Sequence, residues 1–156
     1  INFPFGRLFL GDAGAYFTGY FVAILAVMLP ARNPEVSPWI SLLILGYPVT
    51  ETVYSIIRRI LSHGARPGEP DNDHLHHIVH RNWAKIVANM LRLPSSQNPL
   101  TSVFMWVFPA QTLGLVIISG QQTSNALLCL FIVITFYLVM YRGFTLQEAP
   151  SRRGLN

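Results

Sequence analysis

The chain has 156 residues, 51% of them hydrophobic and only 12% charged, with a formal net charge of +4 and a mean hydropathy of +0.40. Soluble domains carry about 25% charged residues, so this composition excludes a disordered chain and argues against an ordinary soluble domain. The charges are also unevenly spread: 49 consecutive uncharged residues separate Arg92 from Arg142, and 19 separate Asp12 from Arg32. A membrane span needs about 20 apolar residues. The longer run therefore holds two spans joined by the polar tip Gly120-Gln121-Gln122-Thr123-Ser124-Asn125, and the shorter run holds one. The expected fold is an all-α, polytopic membrane helix bundle.

Cys129 is the single cysteine, so the chain offers neither a disulfide framework nor a thiolate metal site. It opens on Ile1 and shows no basic segment followed by an apolar run and a small-residue cleavage site. The expectation is a C-terminal fragment of a longer integral membrane protein, one domain over 1–156.

Residues 1–12 hold Pro4, Gly6 and Gly11 and read as a loop running into a helix with Asp12 as N-cap. The first span is expected at about 13–30, where Ala15, Gly19 and Ala23 form a stripe of small residues suited to close helix approach. After a turn at 31–37, a second apolar segment over 38–57 contains Pro48 and Glu51. The proline removes a backbone donor, which predicts a kink near Tyr47. From 58 to 99 the composition turns hydrophilic. Within it Leu75, Val79, Trp83, Ile86 and Met90 recur at helical spacing, which predicts an amphipathic helix on the membrane surface. Pro94 and Pro99 punctuate, and spans three and four come after them at about 101–119 and 125–141.

Four spans place 1–12, the 58–99 loop and the tail on one face. That face holds ten of the Lys and Arg residues, against Arg32 alone on the other. The positive-inside bias makes it cytoplasmic. The net charge then reads as a topology signal with affinity for anionic membrane lipids, and no stripe of basic and aromatic residues points to nucleic acid.

Two polar constellations share that face. The first runs Asn2-Phe3-Pro4-Phe5-Gly6-Arg7-Leu8-Phe9-Leu10-Gly11-Asp12-Ala13-Gly14 and puts a carboxylate at the mouth of a span. Asp12 suits a hard cation, because Mg²⁺ takes one or two carboxylates plus substrate phosphate oxygens; it equally suits a plain helix cap. The second runs Pro70-Asp71-Asn72-Asp73-His74-Leu75-His76-His77-Ile78-Val79-His80, with four histidines in seven residues. Imidazoles bind metals, donate to phosphate or move protons near neutral pH, and a solvated histidine-rich loop is the plain alternative. His76 and His80 have the helical spacing of a zinc pair, without the Glu or Cys that would complete a zinc signature. Arg58, Arg59, Arg66 and Arg81 favour a phosphate or diphosphate ligand. Glu51, the acidic residue within an apolar span, is a functional candidate. It is equally suited to pairing with Arg58 or filling the polar gap at Pro48, and it stays outside the catalytic set.

At these two constellations the chain resembles the polyprenyl-phosphate N-acetylhexosamine-1-phosphate transferases. That family includes the peptidoglycan translocase and the transferases initiating O-antigen, enterobacterial common antigen and teichoic acid synthesis. The resemblance rests on Gly6-Arg7-Leu8-Phe9-Leu10-Gly11-Asp12-Ala13-Gly14, and on Arg58-Arg59 followed by Gly64, Pro67, Pro70-Asp71 and His74-Leu75-His76-His77. It implies that Asp12 binds the catalytic Mg²⁺ (or Mn²⁺), that Asn2 is an active-site asparagine and that Phe9 stacks on the uracil ring. It also implies that His74, His76 and His77 stand near the diphosphate, with Arg66 or Arg81 as substrate contacts. The last span looks like that of the eleven-span initiating enzymes. Asn72 and Asp73 stand where many relatives carry an arginine, and the family's aspartate-rich motif lies in an N-terminal half that this chain does not contain.

The resulting expectation is a transferase of the bacterial inner membrane with its active-site loops in the cytoplasm. It would move N-acetylhexosamine 1-phosphate from a UDP-sugar to a polyprenyl phosphate such as undecaprenyl phosphate, releasing UMP. By this reading the isolated chain has no turnover, because the other carboxylates are elsewhere. The alternatives are a non-enzymatic membrane module whose histidine loop binds a divalent metal for transport or assembly, and a catalytically degenerate relative.

Overall fold

The structure is a computed structural model that describes Phe3 and residues 10–61 and 73–152. The described elements are helical: α1 (Gly11–Arg32), α2 (Pro38–Ile44), α3 (Gly46–Leu61), α4 (Leu75–Val79), a π turn (His80–Ala84), α5 (Lys85–Met90), a 3-10 turn (Pro94–Ser96), α6 (Gln97–Met105), α7 (Val107–Ser119) and α8 (Thr123–Arg152). Three stretches, Gly11–Arg32, Gln97–Ser119 and Thr123–Leu146, are long and apolar enough to cross a membrane; the bent pair α2 and α3 makes a fourth if it counts as one span. The expected bundle of about four spans is what the chain forms.

Helix boundaries depart from expectation where local chemistry intervenes. Asp12 is not the N-cap of α1; that place falls to Leu10, which makes no side-chain cap bond, and Asp12 sits within the first turn. There its charge meets the positive end of the helix dipole. The break in the second segment lies at Leu45, two residues before Tyr47, and turns the chain by 75°. Pro48 cannot donate to the carbonyl of Ile44, so the ladder fails one turn upstream of the proline. The same effect explains the interruption at Trp106 between α6 and α7, three residues ahead of Pro109.

Aromatic packing holds the bent pair on α8. Tyr137 and Phe108 are buried, and ring centroids lie 4.7 Å apart for Tyr47 and Phe108, 5.6 Å for Tyr54 and Tyr137 and 4.6 Å for Tyr54 and Tyr141. Such contacts matter in lipid, where apolar burial alone does not drive helices together. At Gly46 the absence of a side chain permits the crossing, because a Cβ there would stand 3.1 Å from Cγ1 of Val133.

The two short connections meet. The Ser37 and Thr123 hydroxyls are 2.8 Å apart, and the Ser37 N–H donates to the Gln121 carbonyl at 3.4 Å. At the other end of α8 the Tyr141 hydroxyl donates to the carbonyl of Asp73 at 3.1 Å. Tyr141 lies roughly 27 Å further along the helix than Thr123, at about 1.5 Å per residue. The histidine segment and the paired connections thus occupy opposite ends of the bundle.

The predicted amphipathic helix forms only in part. Leu75, Ile78, Val79, Ala84 and Ala88 are buried, whereas Ile86 and Met90 are exposed. The π turn inserts an extra residue per turn and rotates the remainder of the helix, so the expected stripe leaves the core after Trp83.

Candidate functional site

The site is built from one face of α3. Tyr47, Glu51, Tyr54, Ser55 and Arg58 recur at three- and four-residue spacing, so all face α8 and the histidine segment. Glu51 is buried. Its Oε1 accepts the backbone N–H of Leu75 at 3.1 Å and faces Nδ1 of His74 at 3.0 Å. The Ser55 hydroxyl approaches the same Nδ1 at 3.3 Å. A carboxylate only accepts, so Nδ1 carries the proton toward Glu51, and Nε2 is the nitrogen left for a ligand. His74 caps α4 without a side-chain bond of its own; the distant Glu51 supplies the acceptor that starts this helix. Its other oxygen, Oε2, is buried, and the Tyr47 and Tyr137 hydroxyls stand against the same carboxylate.

Sequence alone leaves Glu51 outside the catalytic set, because its two local roles look sufficient. The available signal is its spacing with Ser55, which marks a polar stripe on an otherwise apolar helix. Its partner His74 lies 23 residues away, and no local pattern announces such a contact.

His74, His76 and His77 do come together. Ring centroids are 4.1 Å apart for His76 and His77, 5.8 Å for His74 and His76 and 6.4 Å for His74 and His77. Partial shielding of the His76 ring from water, with His77 and His74 beside it, lowers its pKa below the ordinary histidine value against the opposing pull of Glu51. His76 therefore stands neutral at pH 7, able to accept or donate one hydrogen bond.

Arg81, expected as a substrate contact, pairs with Asp73. Its guanidinium stands 3.3 Å from Oδ1 of Asp73, while Arg58 stands 3.6 Å from Oδ2. Asp73 thus knots α3, the π turn and, through Tyr141, α8 into one support beneath the imidazoles. Asn82 adds a bond from its amide to the Phe144 carbonyl at 3.0 Å.

His80 opens the π turn and points Nδ1 at the Thr101 hydroxyl, 3.1 Å away. That hydroxyl gives its proton to the Gln97 carbonyl at 2.9 Å, so it receives the His80 N–H and leaves Nε2 as an acceptor. A cleft of about 630 Å³ lies alongside, lined by His76, His77, His80, Asn98, Thr101 and Trp106 among others. The Phe3 ring packs on Trp106 with centroids 5.0 Å apart, which brings Phe3 to the rim of this cleft.

Asp12 is exposed. It lies in the first turn of α1, at the opposite end of that helix from the 33–37 connection. Among the described residues no group of three or more His, Cys, Asp or Glu side chains is arranged to hold a metal ion. The zinc pair at His76 and His80 gains no third ligand there, and Asp12 is a single carboxylate. Asn2, Phe9 and Arg66 lie outside the described residues.

Comparison with known proteins supports the resemblance. The chain is 38% identical over 78 residues to the probable undecaprenyl-phosphate N-acetylglucosaminyl 1-phosphate transferase of Bacillus subtilis, a match covering 49% of this chain and 21% of that protein. It is 31% identical over 84 residues to the undecaprenyl-phosphate alpha-N-acetylglucosaminyl 1-phosphate transferase of Thermotoga maritima, covering 54% and 27%. Against the protein of that name in Escherichia coli K12 the identity is 34% over 76 residues, covering 48% and 20%. The matched stretch thus spans between 20% and 27% of these relatives. No family model matches the chain, and no solved structure matches it.

Proposed function

We propose that this chain is part of a polyprenyl-phosphate N-acetylhexosamine-1-phosphate transferase of the bacterial inner membrane, acting on a UDP-N-acetylhexosamine and undecaprenyl phosphate. The observation that carries the reading is the cluster of three imidazoles, one of them held by a buried carboxylate, in a chain whose curated relatives are named for this transfer.

In the reaction an oxygen of the lipid phosphate, ionised at neutral pH, attacks the β-phosphorus of the UDP-sugar. A new phosphoanhydride forms, the bond from the β-phosphorus to the bridging oxygen breaks, and UMP leaves with the electron pair. No proton need be removed from the nucleophile, so the protein's task is positioning and charge stabilisation. His74, held through Nδ1 by Glu51, offers Nε2 to the phosphates. His76 and His77 line the adjoining cleft, to which Trp106, Asn98 and Thr101 give a neutral wall. A lone Asp12 carboxylate fits a Mg²⁺ bound mainly by substrate phosphate oxygens, and such an ion, when bound, offsets diphosphate charge.

The test is substitution of Asp12 by Asn in membranes carrying the complete transferase. UMP release should fall by at least 100-fold, the scale of losing a principal electrostatic group, while insertion and yield stay unchanged. Undiminished turnover in that variant removes Asp12 from the site.

A further inference from the structure

α5 leaves the bundle. Ala88 is its buried residue, while Ile86, Met90, Leu91 and Leu93 are each more than half exposed. Lys85 and Arg92 are exposed beside them. The helix closes with the Leu93 N–H donating to the Ala88 carbonyl at 2.8 Å and the Arg92 N–H to that of Asn89 at 3.1 Å. This closure puts Arg92 at φ +56°, a left-handed position usually filled by glycine. A cation is thus held in a strained backbone at the outer corner of the turn, between two exposed leucines.

Three further observations indicate what the corner meets. The chain passes from it through Pro94–Ser96 into α6 and α7, one of the membrane-crossing stretches. No acidic residue occurs between Asp73 and Glu148, and Asp73 is engaged by Arg58 and Arg81. The apolar side chains also flank the cations, as in segments that sit at headgroup depth.

We propose that the corner Met90-Leu91-Arg92-Leu93, with Ile86, inserts into the membrane interface on the histidine face, where Arg92 and Lys85 bind the phosphates of anionic lipids. The proposal is independent of the transferase reading. Basic residues near an anionic surface each contribute about 1 kcal/mol, close to five-fold in affinity.

The test reconstitutes the protein in nanodiscs of phosphatidylcholine mixed with phosphatidylglycerol. A spin label at Met90→Cys in a Cys129→Ser background should be relaxed more by oxygen than by a water-soluble nickel chelate. Native mass spectrometry should find phosphatidylglycerol retained over phosphatidylcholine. Arg92→Gly suits the backbone angle and so should keep the helicity while lowering that preference about five-fold. Lys85→Gln, on an exposed position, should act in the same direction, and Arg92→Lys should retain the preference. A label at 90 more accessible to the nickel chelate, or shielded from both relaxants, overturns the proposal. So does an unchanged lipid preference in both Arg92→Gly and Lys85→Gln.

Discussion

A single carboxylate oxygen performs two tasks. Oε1 of Glu51 starts α4 at Leu75 and orients the ring of His74, so helix initiation and ring orientation share one acceptor. Glu51→Ala should lower stability by about 2 kcal/mol, as expected for buried hydrogen bonds to a charged group, and should expose the Leu75 amide to hydrogen exchange. Glu51→Gln keeps an acceptor and should restore most of that protection. His76 supplies a second test. Its folded-state pKa lies below the unfolded value of 6.5, so the unfolded state binds the proton more readily. The fold therefore loses stability as pH falls through 6.5 toward the lowered value, and no such loss occurs above that window. An NMR titration should place the His76 midpoint below 6.5, and His76→Gln should flatten this part of the stability profile. A midpoint at or above 6.5 contradicts the assignment.

Among the elements, the bent pair α2 and α3 determines which residues reach the site. Without the 75° turn at Leu45, Glu51 and Arg58 would continue along the axis of α2. The crossing depends on Gly46, where a larger residue presses on Val133. Gly46→Leu should cost about 1–3 kcal/mol through overpacking, and adding Val133→Ala should recover part of it in a double-mutant cycle measured by thermal unfolding in detergent. Much of this architecture is legible in the sequence. Uncharged runs mark the spans, Pro48 announces a break, and the histidine segment stands out by composition. The exact break at Leu45 is not legible, because a proline specifies which carbonyl is orphaned but not how the chain bends around it. The π turn is also silent: the 4, 4, 3, 4 spacing from Leu75 to Met90 describes a regular helix, and the inserted residue that turns Ile86 outward leaves no mark in that pattern. The pairing of Glu51 with His74 depends on tertiary packing that local periodicity does not encode.

For the whole molecule, the contact between Ser37 and Thr123 and the bond from Tyr141 to Asp73 define two ends. The bias of basic residues predicts that the histidine end faces the cytoplasm. Single cysteines placed at Glu35 and His77, in a Cys129→Ser background, should react with impermeant maleimide from opposite sides of intact inner-membrane vesicles. Labelling of both from one side is incompatible with this arrangement. The hydroxyl pair at Ser37 has a mechanical consequence as well. It clamps the outer end of the seven-residue α2 against the α7–α8 turn, while the far end of α3 is tied by Arg58 to Asp73. The elbow at Leu45 is therefore braced at both ends, as a truss is, and the imidazoles rest on a frame anchored to both surfaces of the bundle.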